Sequence, residues 1–327
     1  MILARGCVAA LLALATGCAA LPGRIAWPTP PPRAVELAAV PFFPQRVDQC
    51  GPAALATVLA YAGRDVDPDR LRPEVFLPGR RGSLQLEMQA AARRHGLIPY
   101  RIATRMPAIA AALADGRPVL VMQNLAIPSV PYWHYAVVVG LDPAAGRVLL
   151  RSGRDRRHRM GEGRFDDSWR WAGRWGLVML EPGGAIPEWA EQGAYLEAVA
   201  ALEALPATRA AAGAAYLEAT RRWPQAPLAW LGLGNVEYAA DRRLAARDAW
   251  WRAAGLAPDS APIRNNLATV RGALGCREAA LAAAPRAVEL AGEGPFAAAA
   301  RATLAEVARG AEASGDAATA CQATANE

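Results

Sequence analysis

Apolar and polar positions follow two regimes, and the change comes at Pro182-Gly183-Gly184. Before that point apolar residues arrive in short runs separated by turn formers. Cys50-Gly51-Pro52-Ala53-Ala54-Leu55 leads into the apolar run Ala56 to Ala62, which predicts a buried helix. Ser83 to His95 sets Leu84, Leu86, Met88 and Ala91 at helical spacing, with Ser83 as N-cap and Gly96 past the C-terminus. Met106 to Ala114 predicts another short helix. Pro118 to Gln123, His134 to Leu141 and Trp175 to Leu180 read as buried strands, the last closing the sheet. Leu141-Asp142-Pro143-Ala144-Ala145-Gly146 is a turn and Arg147 to Arg151 the returning strand of an antiparallel hairpin. Leu21 to Arg33, containing W-P-T-P-P-P-R, predicts a stiff extended tether outside any core. Asn124 to Trp133 is expected as a loop carrying Pro128 and Pro131, and Arg154 to Arg159 as a solvated basic loop. Trp169, Trp171 and Trp175 are expected to be half-buried. Helices with antiparallel strands make this part α+β.

After Gly184 the pattern turns to alanine-rich helix formers. Trp230, Leu233, Gly234, Tyr238, Ala246, Trp250, Ala253 and Pro258 fall close to the spacing of a 34-residue tetratricopeptide (TPR) repeat, which they resemble. Glu237 holds the usual tyrosine position and Tyr238 comes one residue late. In such a unit Gly234, Ala246 and Ala253 let two antiparallel helices approach while the large residues lock the next pair. Weaker copies flank it: Ala194 to Pro224, with Tyr216 and Ala219 in phase, and Ala261 to Gly294, with Leu267 and Ala280 in phase and Pro285 interrupting a helix. The expectation is an all-α TPR-like domain over 191–310, followed by a flexible tail over 311–327.

Chemistry concentrates around Cys50. A cysteine just before a helix start meets backbone N–H groups and the positive end of the helix dipole, which lowers its thiol pKa. The same donors suit an oxyanion, to which Gln45 could add a side-chain amide. A base is then required. His95 precedes Gly96 at a predicted helix end, and His158 lies among arginines. His134, at the mouth of a buried strand, can face a helix N-terminus across a cleft and act as general base and acid.

Gln45, Cys50 to Leu55 and His134-Tyr135-Ala136-Val137-Val138-Val139-Gly140 resemble the bacteriocin-processing, double-glycine-leader family of cysteine peptidases and its stand-alone C39-like relatives. The likeness covers Ala38 to Glu181. It implies a papain-like fold with Cys50 as nucleophile, His134 as base and Gln45 in the oxyanion hole. The family's third member is an Asp on the strand after the histidine strand. Folding the hairpin brings Arg151 and Ser152 beside His134, so no carboxylate is there; Ser152 could orient the ring, or Asp155 could reach back from the loop.

Composition adds compartment and partners. Met1 to Gly17 reads as an export signal with Arg5 and a short apolar core, Val8 to Ala15. Leu14-Ala15-Thr16-Gly17-Cys18 resembles the lipobox of bacterial lipoproteins, implying an acylated Cys18 at the mature N-terminus and, with Ala19 next, the periplasmic face of the outer membrane. Of the remaining cysteines, Cys276 and Cys321 could pair or stay apart. The net charge of +6 is carried by arginine without lysine, and no basic stripe interleaved with aromatics predicts a nucleic-acid partner. No C-x-x-C or H-E-x-x-H pattern predicts a metal, and no cofactor is expected. The sequence therefore predicts a signal over 1–17, a Pro-rich tether over 18–37, a cysteine peptidase domain over 38–183 cleaving a peptide substrate, and repeats recruiting substrate or a protein partner. Two alternatives stay open: a decayed peptidase-like cleft within an interaction scaffold, and an acyltransferase using the same thiol.

Overall fold

The computed structural model describes residues 25, 27–46, 49–80, 82–310 and 321. The export signal, Cys18 and the tail apart from Cys321 lie outside the described residues. The described residues form nine strands: β1 (Val35–Glu36), β2 (Phe76–Leu77), β3 (Gly82–Ser83), β4 (Ile98–Arg101), β5 (Val119–Asn124), β6 (Trp133–Asp142), β7 (Arg147–Ser152), β8 (Asp155–Gly161) and β9 (Gly176–Leu180). Five helices accompany them, α1 (Cys50–Tyr61), α2 (Pro68–Val75), α3 (Gln85–Arg94), α4 (Met106–Ala114) and α5 (Glu162–Trp171). Seven further helices follow: α6 (Gln192–Glu203), α7 (Arg209–Arg222), α8 (Pro227–Ala239), α9 (Arg243–Leu256), α10 (Ala261–Ala273), α11 (Arg277–Ala291) and α12 (Ala297–Arg309).

The main sheet runs β4-β9-β5-β6-β7-β8, with β1 paired to β6, and its pairings are antiparallel. Its central strands are covered on both faces, which is why they read as continuous apolar runs rather than as an alternation. Tyr135, Val137 and Val139 of β6 join Leu55, Val58 and Leu59 of α1 in one core. Ala136 and Val138 turn to the opposite core, with Ile109 of α4 and Phe165 and Trp169 of α5. At Gly140 a Cβ would sit 2.8 Å from Val35 O, so the β1 strand crosses β6 where no side chain intervenes. The small β2–β3 hairpin packs on the start of α1, where a Cβ on Gly51 would overlap the Ser83 hydroxyl.

Several expectations change. Arg154 to Arg159 is largely the edge strand β8, not a loop: Met160 turns inward while Arg157 and Arg159 face water, and arginines suit an unpaired edge. Strand β9 lies between β4 and β5 rather than closing the sheet. Trp169 and Trp175 are fully buried, and the indole N–H of Trp169 donates to the Trp175 carbonyl at 2.9 Å. The helix expected from Ser83 begins at Gln85, since Ser83 is held in the β2–β3 hairpin. The Pro-rich segment is not clear of the core: Ile25 and Trp27 pack on it, and Trp27 Nε1 donates to Glu162 at 2.7 Å.

The helices after Gly184 are short-linked and stack on one another, with glycine where large rings arrive. A Cβ on Gly232 would overlap the Tyr216 ring, and one on Gly234 would lie 2.8 Å from Trp250 Cγ. A polar ladder crosses the stack: Glu203 accepts from Tyr216 Oη (2.8 Å) and Asn235 Nδ2 (3.1 Å), and Asn235 Oδ1 accepts from Trp250 Nε1 (3.2 Å) and Asn266 Nδ2 (3.1 Å). Pro285 does not break its helix. Helix α11 runs through it because Ala283, Ala284 and Ala287 are buried on either side. Cys276 and Cys321 form a disulfide with their Cα atoms 5.3 Å apart. The core of the sheet continues into the helices, since Tyr195, Leu196, Val199 and Leu202 of α6 belong to the same cluster as Ile98, Tyr100 and Leu180.

Candidate active site

Cys50 is the first residue of α1, whose N-cap residue Gln49 makes no side-chain capping hydrogen bond. Its opening N–H groups therefore point to whatever lies beyond the helix end. Pro52 in the first turn gives up an N–H the helix would not have used. Cys50 is half-buried, retains its thiol and packs on the core that contains Tyr135. Burial and the charge of Cys50 both push the Tyr135 phenol upward, and Tyr135 Oη donates to Ser83 O at 3.2 Å.

The segment entering α1 is fastened to the sheet. Arg151, almost wholly buried, donates through Nη2 to Val40 O (2.9 Å) and Ala38 O (3.3 Å), and through Nη1 to Arg156 O. Further along, the Gln45 amide N–H donates to Gly153 O at 2.9 Å, and Gln45 Nε2 to Tyr135 O at 3.3 Å. Gln45 thus bridges the β7–β8 turn and the residue after His134, five positions before the cysteine.

His134 lies near the start of β6, beside the exposed Trp133. Its Nε2 is 2.9 Å from Ser152 Oγ. Burial first, and then the charge of His158, lowers its pKa from 6.5 to about 4, so the imidazole is neutral at neutral pH. With Ser152 at Nε2, the other ring nitrogen is left for a second partner. Along β6 the ring has the phase of Ala136 and Val138, whereas Tyr135 has the phase that faces α1.

Asp155 does not reach His134. Gly153 adopts φ +60°, which makes the β7–β8 turn tight and leaves Asp155 on β8, 3.5 Å from His158 Nδ1 and accepting from the Arg157 amide at 2.9 Å. His158 is therefore a strand residue paired with Asp155, and His95 caps α3 with Nε2 3.3 Å from Glu74. Sequence reasoning passed over Arg151 as a clamp and Gln123, fully buried opposite His134, as a polar residue inside an apolar strand. Their signal was a charged or amide side chain within a strand pattern. Among the described residues no group of three or more His, Cys, Asp or Glu could hold a metal.

Residues 37–174 match the Peptidase_C39 like family. The matched stretch is under half of the chain and spans Gln45, Cys50, His134 and Ser152. Among solved structures, a protein from Bacillus anthracis described as a C39-like peptidase is similar at 18% identity and TM-score 0.39, covering 46% of this chain and 98% of that one. A double glycine motif protease from an AMS/PCAT transporter, solved with its leader peptide, shares 23% identity at TM-score 0.33, over 45% of this chain and 96% of that one. The peptidase domain of Streptococcus ComA, a bi-functional ABC transporter, shares 22% identity at TM-score 0.33, over 43% and 96%. No curated protein matches.

Proposed function

We propose that the C39-like part of the chain is a cysteine peptidase in which Cys50 is the nucleophile, His134 the general base and acid, Ser152 the orienting third member and Gln45 an oxyanion donor. Because the ring has the phase of the sheet face away from α1, this reading requires the imidazole to reach the thiol around the open end of β6, where Trp133 is exposed, rather than through the sheet. Nδ1 takes the thiol proton as sulfur attacks the peptide carbonyl. The new oxyanion receives hydrogen bonds from the backbone N–H groups at the start of α1 and from the second amide hydrogen of Gln45. His134 returns the proton to the departing amine, then activates the water that hydrolyses the thioester and regenerates the thiol.

The observation that carries this reading is the His134 Nε2–Ser152 Oγ contact at 2.9 Å. In this reading Nε2 carries the hydrogen and donates it to Ser152, which leaves Nδ1 for the sulfur. In the same proposal the chain is exported, with an acylated Cys18 holding it at the periplasmic face of the outer membrane. The helices from α6 onward act as TPR-like repeats presenting a surface to substrate or a partner protein. The Cys276–Cys321 disulfide supports an oxidising compartment.

One observation favours a second reading. A serine where a carboxylate is expected weakens support for the imidazolium, as in a cleft retained only for binding. Trapping with a peptide-based electrophile separates the two. Covalent labelling of wild type at Cys50, abolished in Cys50→Ser and reduced at least tenfold in His134→Ala, supports the enzyme. Labelling that ignores His134→Ala leaves the binding scaffold.

A further inference from the structure

The sheet face carrying His134 holds a buried polar group that the mechanism above does not use. Gln123 stands directly opposite His134 in the β5–β6 register, so both side chains leave the same face. Directly opposed residues put their Cβ atoms about 4.5–5.5 Å apart, within reach of a carboxamide and an imidazole.

Gln123 is fully buried and its orientation is fixed. Its Nε2 donates to Ser168 Oγ at 2.7 Å and faces Met160 Sδ at 3.6 Å, while Ser168 Oγ passes its hydrogen to Phe165 O at 2.8 Å. Because Ser168 has spent its hydrogen, the end of the carboxamide facing it must be the nitrogen. The oxygen, Oε1, therefore turns away from α5, buried and without a donor among the described residues. A leucine here would fill the space with no such orphan, so packing alone does not account for an amide. An oriented carbonyl oxygen beside a titrating ring favours the ring's cation.

We propose that Gln123 is a positioning residue for His134: its locked carboxamide holds the ring toward Ser152 and sets an unpaired oxygen where the imidazolium forms. This rests on the reading of Cys50 and His134 as a couple. When the thiol S–H breaks, a new N–H forms at Nδ1, the Nε2 hydrogen stays directed at Ser152, and Gln123 gains and loses no proton. The oxygen that no donor meets while the ring is neutral then faces a positive charge. Opposing it is His158 on β8, which shares its region with Asp155.

The test is the pH dependence of Cys50 alkylation by iodoacetamide in the full chain, for wild type, Gln123→Leu, Gln123→Glu and His134→Ala. Gln123→Leu is expected to slow alkylation at pH 7 at least tenfold and move the midpoint to higher pH while melting within a few degrees of wild type. Gln123→Glu, a carboxylate in the same place, is expected to move the midpoint to lower pH. A Gln123→Leu profile superposed on wild type overturns the inference. Should that variant lose its cooperative melt, a Gln123→Glu profile identical to wild type overturns it instead. If His134→Ala leaves the profile unchanged, the Cys50–His134 couple and this inference fall together. A shifted His134→Ala profile with an unshifted Gln123→Leu removes the inference alone.

Discussion

Replacing His134 with glutamine removes a titration whose size follows from where the ring sits. Burial and the neighbouring His158 lower its pKa from 6.5 to about 4. The unfolded chain therefore binds more protons than the folded one between these two values. Stability that is complete above the unfolded value is lost as pH falls through this window. At about 1.4 kcal/mol per pH unit the full loss is roughly 3 kcal/mol, of which about 2 kcal/mol is reached on going from pH 7 to about pH 4.5. Urea denaturation of wild type and His134→Gln at both pH values gives the quantity, because every other titrating group cancels in the difference of differences. The wild type is expected to lose about 2 kcal/mol more than the variant over the interval. Parallel losses, within about 0.5 kcal/mol, would refute the reasoning. They would mean that a resting thiolate already holds the ring charged, and that burial does not govern the site.

Other outcomes test the surrounding structure. Ser152→Asp places a carboxylate at the hydrogen-bonding distance of Nε2, raises the ring's pKa by about 1–3 units, and is expected to speed electrophile labelling of Cys50; an unchanged ring titration by NMR would count against the contact. Gly51→Ala drives a methyl into the Ser83 hydroxyl and is expected to cost about 1–3 kcal/mol of stability, relieved in part by Ser83→Gly. Gly232→Ala collides with the Tyr216 ring and should cost a similar 1–3 kcal/mol or so, most of it recovered in a Tyr216→Ala background by a double-mutant cycle.

What could be read from the chain depended on whether local pattern or register decided the matter. Cys50 at a helix start and His134 at a strand mouth each follow from short-range signals, and the hairpin arithmetic that brought Ser152 to His134 needed only a turn and two strands. Asp155 failed as the alternative because the positive φ at Gly153 tightens the turn, a backbone choice that glycine permits but does not announce. Strand β8 was hidden by its own edge position, where arginines that protect an unpaired strand look like a solvated loop. Ser83 has the chemistry of a helix cap, yet the β2–β3 hairpin claims it first. Gln123 carried no periodic signal, since only the β5–β6 register sets it opposite His134. The proline-rich stretch was misjudged because the groove that receives Trp27 is assembled from Glu162, far along the chain.

Tyr100 of β4 stacks edge-on against Trp189 at 5.7 Å, and its hydroxyl accepts the Glu191 amide at 2.9 Å. A gene fragment ending at Gly184 would strip both partners from that strand and leave Ile98, Tyr100 and Leu180 bare, inviting aggregation rather than a smaller working unit. Extending the fragment past α7 would keep that cover in place. Anyone dividing this protein for crystallisation or for fusion to another chain should cut between helices, where loops face solvent, and leave the seam beneath α6 intact.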